Sequence, residues 1–314
     1  MNRWLRRILL LLVAVLVFFL IRRYIKIPTE RSSALTHEFE SKDSLRFFAL
    51  GDTGSGDKNQ MKVAQWMEDR CQKKGGIDGI LLLGDHFYMT GVKSVEDPQW
   101  QQKIEKPYGK PCLSRSKIFP TFGNHDYKGN TQAQIQYSAM SSRWFMPYRF
   151  YRLDFGDLLR VVVFDSNFPD FCLLPNSCSL DFLHKQLSSV PTKWNLVTSH
   201  FPLASASKKK GKYRGDTMLA KVLKTFFCDK AQVWLSGHAH HLEHRQQAGC
   251  STEIFVAGGG GGGVDPAHLN QKESKFVRSA FGFLEIEVDE RKMVFRFIGK
   301  SGEEIYEHIK EADE

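Results

Sequence analysis

The sequence predicts an α/β sandwich, with two sheets packed face to face and helices outside. Two observations carry this: short apolar runs alternate with segments of helical spacing, and a polar block rich in Gly, Asp, Asn or His follows several of the runs. At 314 residues and 42% hydrophobic, the chain can bury a large core as one domain plus an appendage. No internal repeat interrupts the pattern.

In chain order, residues 1–27 come first, as a membrane anchor or signal segment. The run MNRWLRRILLLLVAVLVFFLIRRYIK is uncharged from Ile8 to Ile21 and has basic flanks. That run is short for a span of about 20 residues, but Trp4, Leu5 and snorkelling Arg side chains extend it. It reads as a signal-peptide core or an uncleaved signal anchor, and the bulky, charged RRYIKIP behind it favours the anchor, a transmembrane helix. Residues 28–44 read as a tether, because Glu30 to Asp43 is polar, lacks sustained periodicity and follows a proline.

The main domain is expected over residues 45–302. Strand-like runs lie at Arg46–Leu50, Ile80–Gly84, Ile118–Phe122, Leu159–Phe164, Leu196–Ser199, Val233–Ser236 and Ile254–Ala257. Helical spacing marks Asn59–Lys74, Leu180–Leu187 and Met218–Phe227, and two late strands are expected at Phe283–Val288 and Met293–Ile298. Residues 303–314 read as a polar C-terminal tail.

Charge and cysteine usage narrow the setting. The net charge of +9 invites nucleic acid as a partner, yet residues 1–34 alone carry +6, leaving only +3 on the remainder. Nucleic-acid binding thereby loses its main support. Six cysteines all follow the anchor, and Cys172 and Cys178, in FCLLPNSC, are the easiest pair to bridge; unpaired buried thiols are the alternative. The expected setting is extracytoplasmic: membrane-anchored through residues 1–27, or secreted after signal cleavage.

The chemistry sits in five blocks, GDTGSG, GDHFY, GNHD, SHFP and GHAHH, which carry Asp52, Asp85, Tyr88, Asn124, His200, His238 and His240. Carboxylates, imidazoles and an amide oxygen suit hard and borderline first-row cations, whereas a cysteine-rich set would point to structural zinc. Two cations about 3.5–4 Å apart can bind a phosphate and generate a hydroxide nucleophile. Asp85 is the best shared ligand because it closes the apolar run Gly79–Leu83. GDTGSG alone could be a phosphate-cradling turn and GNHD alone an ordinary turn; their value comes from their company. The run Gly258–Gly263 is either a flexible loop or a site rim that needs close backbone approach. His37, His184, His268 and His308 have no motif around them, and His241 and His244 read as structural although they follow the site closely.

The stretch from GDHFYMTGV through GNHDYKGNTQAQIQYSAMSSRWFMPYRFYRL resembles the small, tartrate-resistant purple acid phosphatases of the calcineurin-like metallophosphoesterase superfamily. Tyr88, three residues past Asp85, separates this resemblance from generic metallophosphoesterases, and the likeness runs from about Leu45 to about Gly302. It implies a four-layer αββα sandwich. It also implies a ferric ion held by Asp52, Asp85, Tyr88 and His240, and a divalent Fe, Zn or Mn ion held by Asp85, Asn124, His200 and His238. His125 would lie over the substrate, to stabilise the phosphoryl group or protonate the leaving oxygen, with Asp126 orienting it. The implied activity is hydrolysis of phosphate monoesters, on small molecules or phosphopeptides, by metal-bound hydroxide in a monomeric catalytic domain. The alternative is a phosphodiesterase or nucleotide pyrophosphatase on the same metals. A non-catalytic binding protein on a decayed scaffold predicts missing ligands, and none is missing. The sequence departs from the family at Thr53, at His86 and at Lys209, which stands where the family has a second pocket histidine and could bind substrate phosphate as a point charge.

Overall fold

The computed structural model describes residues 35–167, 179–189, 192–207, 227–266 and 273–313. The expected membrane segment at residues 1–27, Cys172 and Cys178, Lys209, His268 and nearly all of the helix expected at Met218–Phe227 lie outside them. Among the described residues, no helix is long and apolar enough to cross a membrane.

Two sheets make up the domain. The first has the order β1-β5-β6-β7-β8-β10-β9-β11, and the second β14-β13-β12-β2-β3-β4. In the first sheet these are β1 (Thr36–Phe39), β5 (Tyr151–Phe155), β6 (Leu159–Val163), β7 (Trp194–Ser199), β8 (Val233–Ser236), β9 (Leu242–Gln246), β10 (Glu253–Ala257) and β11 (Ser274–Arg278). The second contains β2 (Ser44–Leu50), β3 (Gly79–Leu82), β4 (Lys117–Pro120), β12 (Phe283–Asp289), β13 (Lys292–Ile298) and β14 (Glu304–Glu311). Strands β2, β3 and β4 run parallel, as do β6, β7, β8 and β10. Those central strands are buried on both faces, which is why they read as continuous apolar runs rather than alternating ones.

The sheets meet through aromatic side chains. Phe47 of β2 packs edge-on against Phe155 of β5 at 5.1 Å, and Phe255 of β10 stacks on Phe295 of β13 at 4.4 Å. Outside the second sheet lies helix α1 (Lys58–Lys74), whose Arg70 pairs with the fully buried Glu285 of β12. Its start is capped by Asp57, which accepts from the amides of Asn59 and Gln60, and it ends at Gly75 in the left-handed region with φ 77°. A short α2 (Thr131–Gln136) follows β4. Helix α3 (Ser179–Leu187) covers the other face of the first sheet, where Phe182 and Leu183 join Val162, Val197 and Trp234. Two disulfides, Cys71–Cys112 and Cys228–Cys250, are described. The first closes a separation of 41 residues, which in the chain-entropy view stabilises the fold by about 4 kcal/mol.

Two boundaries need correction. The expected tether contains β1, which pairs in parallel with β5 and stacks Phe39 on Phe155 at 5.0 Å. The expected polar tail is β14, hydrogen-bonded along β13 from Lys292 to Ile298. Four residues are too few to show a period in β1. In β14 the partly buried positions include Tyr306, His308 and Lys310, so the strand carries no apolar alternation to read.

Candidate metal centre

The polar blocks lie just beyond the carboxyl ends of parallel strands from both sheets, at one edge of the sandwich, where open α/β sheets collect ligands. Asp52 follows β2, Asp85 and Tyr88 follow β3, and Asn124 follows β4; His200 follows β7, while His238 and His240 follow β8. The oxygen donors therefore come from the six-stranded sheet and the imidazoles from the eight-stranded one. The two loop sets are tied directly: Gly51 N–H donates to the Ala257 carbonyl at 2.8 Å, and His238 N–H to Asp52 Oδ2 at 2.6 Å.

Asp52, Asp85 and His238 have φ of 59°, 55° and 66°, in the left-handed region that non-glycine residues avoid. Each costs about 1–3 kcal/mol and persists where surrounding bonds over-determine it. Asp52 N–H donates to Gly84 O at 2.9 Å, and Gly54 N–H to Asp85 O at 3.0 Å. Gly84 is itself at φ 91°, and a Cβ there would lie 2.3 Å from His200 Nδ1, so a side chain would expel that imidazole.

The seven side chains gather into two groups. In one, the Tyr88 hydroxyl lies 3.0 Å from Asp52 Oδ1 and 3.1 Å from His240 Nε2, which is 3.2 Å from the same carboxylate oxygen. In the other, His200 Nε2 lies 3.2 Å from Asn124 Oδ1, 3.5 Å from Asp85 Oδ2 and 3.0 Å from His238 Nδ1. Asp85 also acts electrostatically on Tyr88, so it stands between the groups.

Three observations fit this donor set to cations. Asp52 and Asp85 are both buried, and the groups that meet them are imidazoles, a phenol and backbone amides. His200 donates Nδ1–H to the Leu83 carbonyl at 2.8 Å, which leaves Nε2 as the ligand atom, the arrangement common in metal-bound histidine. Asp85, His200 and His238 bring ligand atoms within 4.8 Å of one another.

The electrostatics of the ion-free site agree. Burial acts most strongly on Asp85 and, with the charges of Asp52 and Asp126, holds its carboxyl above the usual range despite His200. For Asp52 burial again acts upward, but the hydrogen bond and charge of His240, aided by His200 and His238, bring it below that range. His200 is pulled down by burial and raised on balance by Asp85 and Asp52. Burial, then Asp52 and Asp85, push the Tyr88 phenol far up, so only a strong positive charge beside it would ionise it.

His125 is set over this centre. Its Nδ1 lies 3.0 Å from the Met89 carbonyl, its Nε2 lies 4.0 Å from Asp85 Oδ2, and its ring meets Tyr88 edge-on at 4.6 Å. The expected role of Asp126 requires correction. Its fully buried carboxylate accepts the amides of Asp85 at 2.9 Å, His86 at 3.1 Å and Gly123 at 2.8 Å, so it braces the loops bearing Asp85 and Asn124 rather than the His125 ring. His86 is buried against Trp144 with Nε2 2.9 Å from the Thr121 carbonyl, and burial lowers its pKa. His241 is fully buried, with Nε2 2.9 Å from Glu243 Oε2.

Other contributors were not read from the sequence. Lys103 is buried with its ammonium on the Tyr88 carbonyl. Asp165, just past β6, accepts the Asn167 amide at 3.0 Å and the Tyr127 hydroxyl, while Asn167 Nδ2 donates to the Phe122 carbonyl at 2.8 Å. The signal was present, since FDSN follows an apolar run as the other blocks do. The glycine run is a site wall: a Cβ on Gly262 would lie 2.3 Å from the Tyr88 ring, and Gly262 N–H donates to the Asp52 carbonyl at 2.7 Å.

Comparison with known proteins adds three findings. Residues 45–242 match the family model described as calcineurin-like phosphoesterase. Tartrate-resistant acid phosphatase type 5 of Sus scrofa is 30% identical, covering 83% of this chain and 85% of that protein; Purple acid phosphatase 3 of Arabidopsis thaliana is 26% identical, covering 88% and 82%. Among solved structures, GAP50, the anchor in the inner membrane complex of Plasmodium, superposes with a TM-score of 0.76 at 25% identity, covering 87% of this chain and 90% of that one.

Proposed function

We propose, from the premise that this chain belongs to the calcineurin-like phosphoesterase family and is a dinuclear metal-dependent acid phosphatase, a division of its seven ligands between two ions. Asp52, Asp85, Tyr88 and His240 hold ferric iron; Asp85, Asn124, His200 and His238 hold divalent iron, zinc or manganese. The observation that carries this reading is the convergence of the side chains into two groups with Asp85 between them. When bound, such a pair of ions supplies Lewis-acid activation of water and charge neutralisation for a phosphate.

The chain's own groups do the rest. Nδ1 of His125 lies 3.0 Å from the Met89 carbonyl and 3.1 Å from the Lys128 ammonium, which leaves Nε2 facing the centre, where a proton held on it can pass to a departing alcohol. Asp126 fixes the Asp85 backbone, and His125 N–H donates to Asp85 Oδ1 at 2.8 Å, so the shared carboxylate is aimed from two sides. Lys209 is assigned to the substrate phosphate on the sequence alone.

The substrates are phosphate monoesters on small molecules or phosphopeptides, and the catalytic unit is a monomeric four-layer αββα sandwich. It works outside the cytoplasm, anchored through residues 1–27, a reading supported by the two disulfides and the apolar N-terminal run. The test is the visible spectrum of the protein purified with iron under oxidising conditions, alongside hydrolysis of a monoester and a diester. Expected are a broad mid-visible band, its loss in Tyr88→Phe, and preference for the monoester. A band retained in Tyr88→Phe would refute the ferric ligation. Metal-loaded protein that turns over neither ester would favour an anchoring role like the one named for GAP50.

A further inference from the structure

A second group of metal-ligating side chains converges away from this centre, between the two sheets. His244 lies on β9, Glu253 opens β10, and His308 lies on β14 of the opposite sheet. His244 Nε2 is 2.7 Å from Glu253 Oε2, His308 Nε2 is 3.4 Å from Glu253 Oε1, and the imidazole rings are 4.3 Å apart. All three ligand atoms lie within 4.8 Å of one another. The His244 side chain is fully buried, and that of His308 is 19% exposed.

We propose that His244, Glu253 and His308 form a third cation site, for a borderline divalent ion of the zinc class, which pins the two sheets together. Two imidazoles and a carboxylate are a zinc donor set. An ion with bonds of about 2.0–2.1 Å in tetrahedral array holds its ligand atoms about 3.3–3.4 Å apart, close to the His308–Glu253 separation. The outer contact is also in place, since the Tyr306 hydroxyl lies 2.7 Å from His244 Nδ1. Without an ion, Nε2–H of His244 donates to Glu253 and the hydroxyl donates to Nδ1. With one, the proton resides on Nδ1 and the hydroxyl accepts it, so Nε2 is freed without net proton release from His244.

Lys275 is the built-in competitor. Its ammonium lies 3.1 and 3.2 Å from the Glu253 oxygens, and its side chain is 37% exposed, so it can leave to water as the ion enters. A water would complete a tetrahedral set around the three protein ligands.

The test is metal stoichiometry on the full chain, by mass spectrometry after zinc loading and dialysis. Three equivalents are expected in the wild type and two in His308→Ala, with phosphatase activity and the visible band unchanged. Lys275→Ala is expected to bind the third equivalent at least tenfold more tightly. Two equivalents in the wild type, or three in His308→Ala, would overturn the assignment. Where a variant fails to fold, a wild-type count of two still overturns the assignment.

Discussion

Replacing Asp126 with Asn separates two accounts of the same residue. Asp126 Oδ2 accepts the amides of Asp85 and Gly123, and Oδ1 that of His86. Asn keeps one acceptor oxygen; placed where Oδ2 sits, it retains two bonds in weaker, neutral form and turns an NH2 group toward the His86 amide. Hydrogen bonds to a charged group contribute about 1.5–3 kcal/mol each, and an orphaned buried donor costs about 1–3 kcal/mol. Relief of the repulsion between Asp126 and Asp85 offsets part of this. The net expectation is a loss of about 2–4 kcal/mol in unfolding free energy, read by urea titration of metal-stripped protein with its disulfides intact. Displacement of Asp85 should also lower kcat on the order of 10²-fold and reduce metal content. Stability within about 0.5 kcal/mol of wild type, with only the pH–rate profile altered, would mean that Asp126 acts through His125 and that the reasoning from its three amides is wrong.

Three further outcomes are expected. His125→Ala should lower turnover by about 10²–10⁴-fold with metal content intact, because alanine keeps the backbone N–H that holds Asp85; loss of both metals would make His125 structural. Gly262→Ala should weaken or shift the visible band, because its Cβ meets the Tyr88 ring, and an unchanged band at full activity would show that the loop yields instead. Burial, opposed by Glu253, holds the His244 imidazole down at about 4. The unfolded chain therefore takes up a proton below about pH 6.5 that folded His244 refuses, so stability is level above that pH and falls toward pH 4, by about 2 kcal/mol at pH 5. Urea titrations of metal-free protein at pH 7 and 5, beside His244→Gln, check this; an equal loss in the variant would refute it.

The polar blocks were legible because each closes a buried strand, and those strands must be apolar throughout. Val233–Ser236 was read to the residue, and the other parallel strands to within a few residues. What escaped was set by partners distant in sequence. β5, β9 and β11 mix charged and apolar residues because Arg152, Glu243, Arg245 and Lys275 find ionic partners inside or along the sheet. Asp126 looked like a neighbour of His125 because it is one in sequence, but its carboxylate points back to amides 3, 40 and 41 residues away. His308 carried no motif and His244 read as structural, since the contact between them joins strands of different sheets.

The separate origin of the two donor types has a consequence for assembly. With the proposed oxygen donors on one sheet and the nitrogen donors on the other, each half of the sandwich alone carries only part of the ligand set of either ion. On that assignment, a partly unfolded form in which the sheets part loses ligands from both ions at once. Retention of metal under stress is then a gauge of whether the two sheets remain in contact.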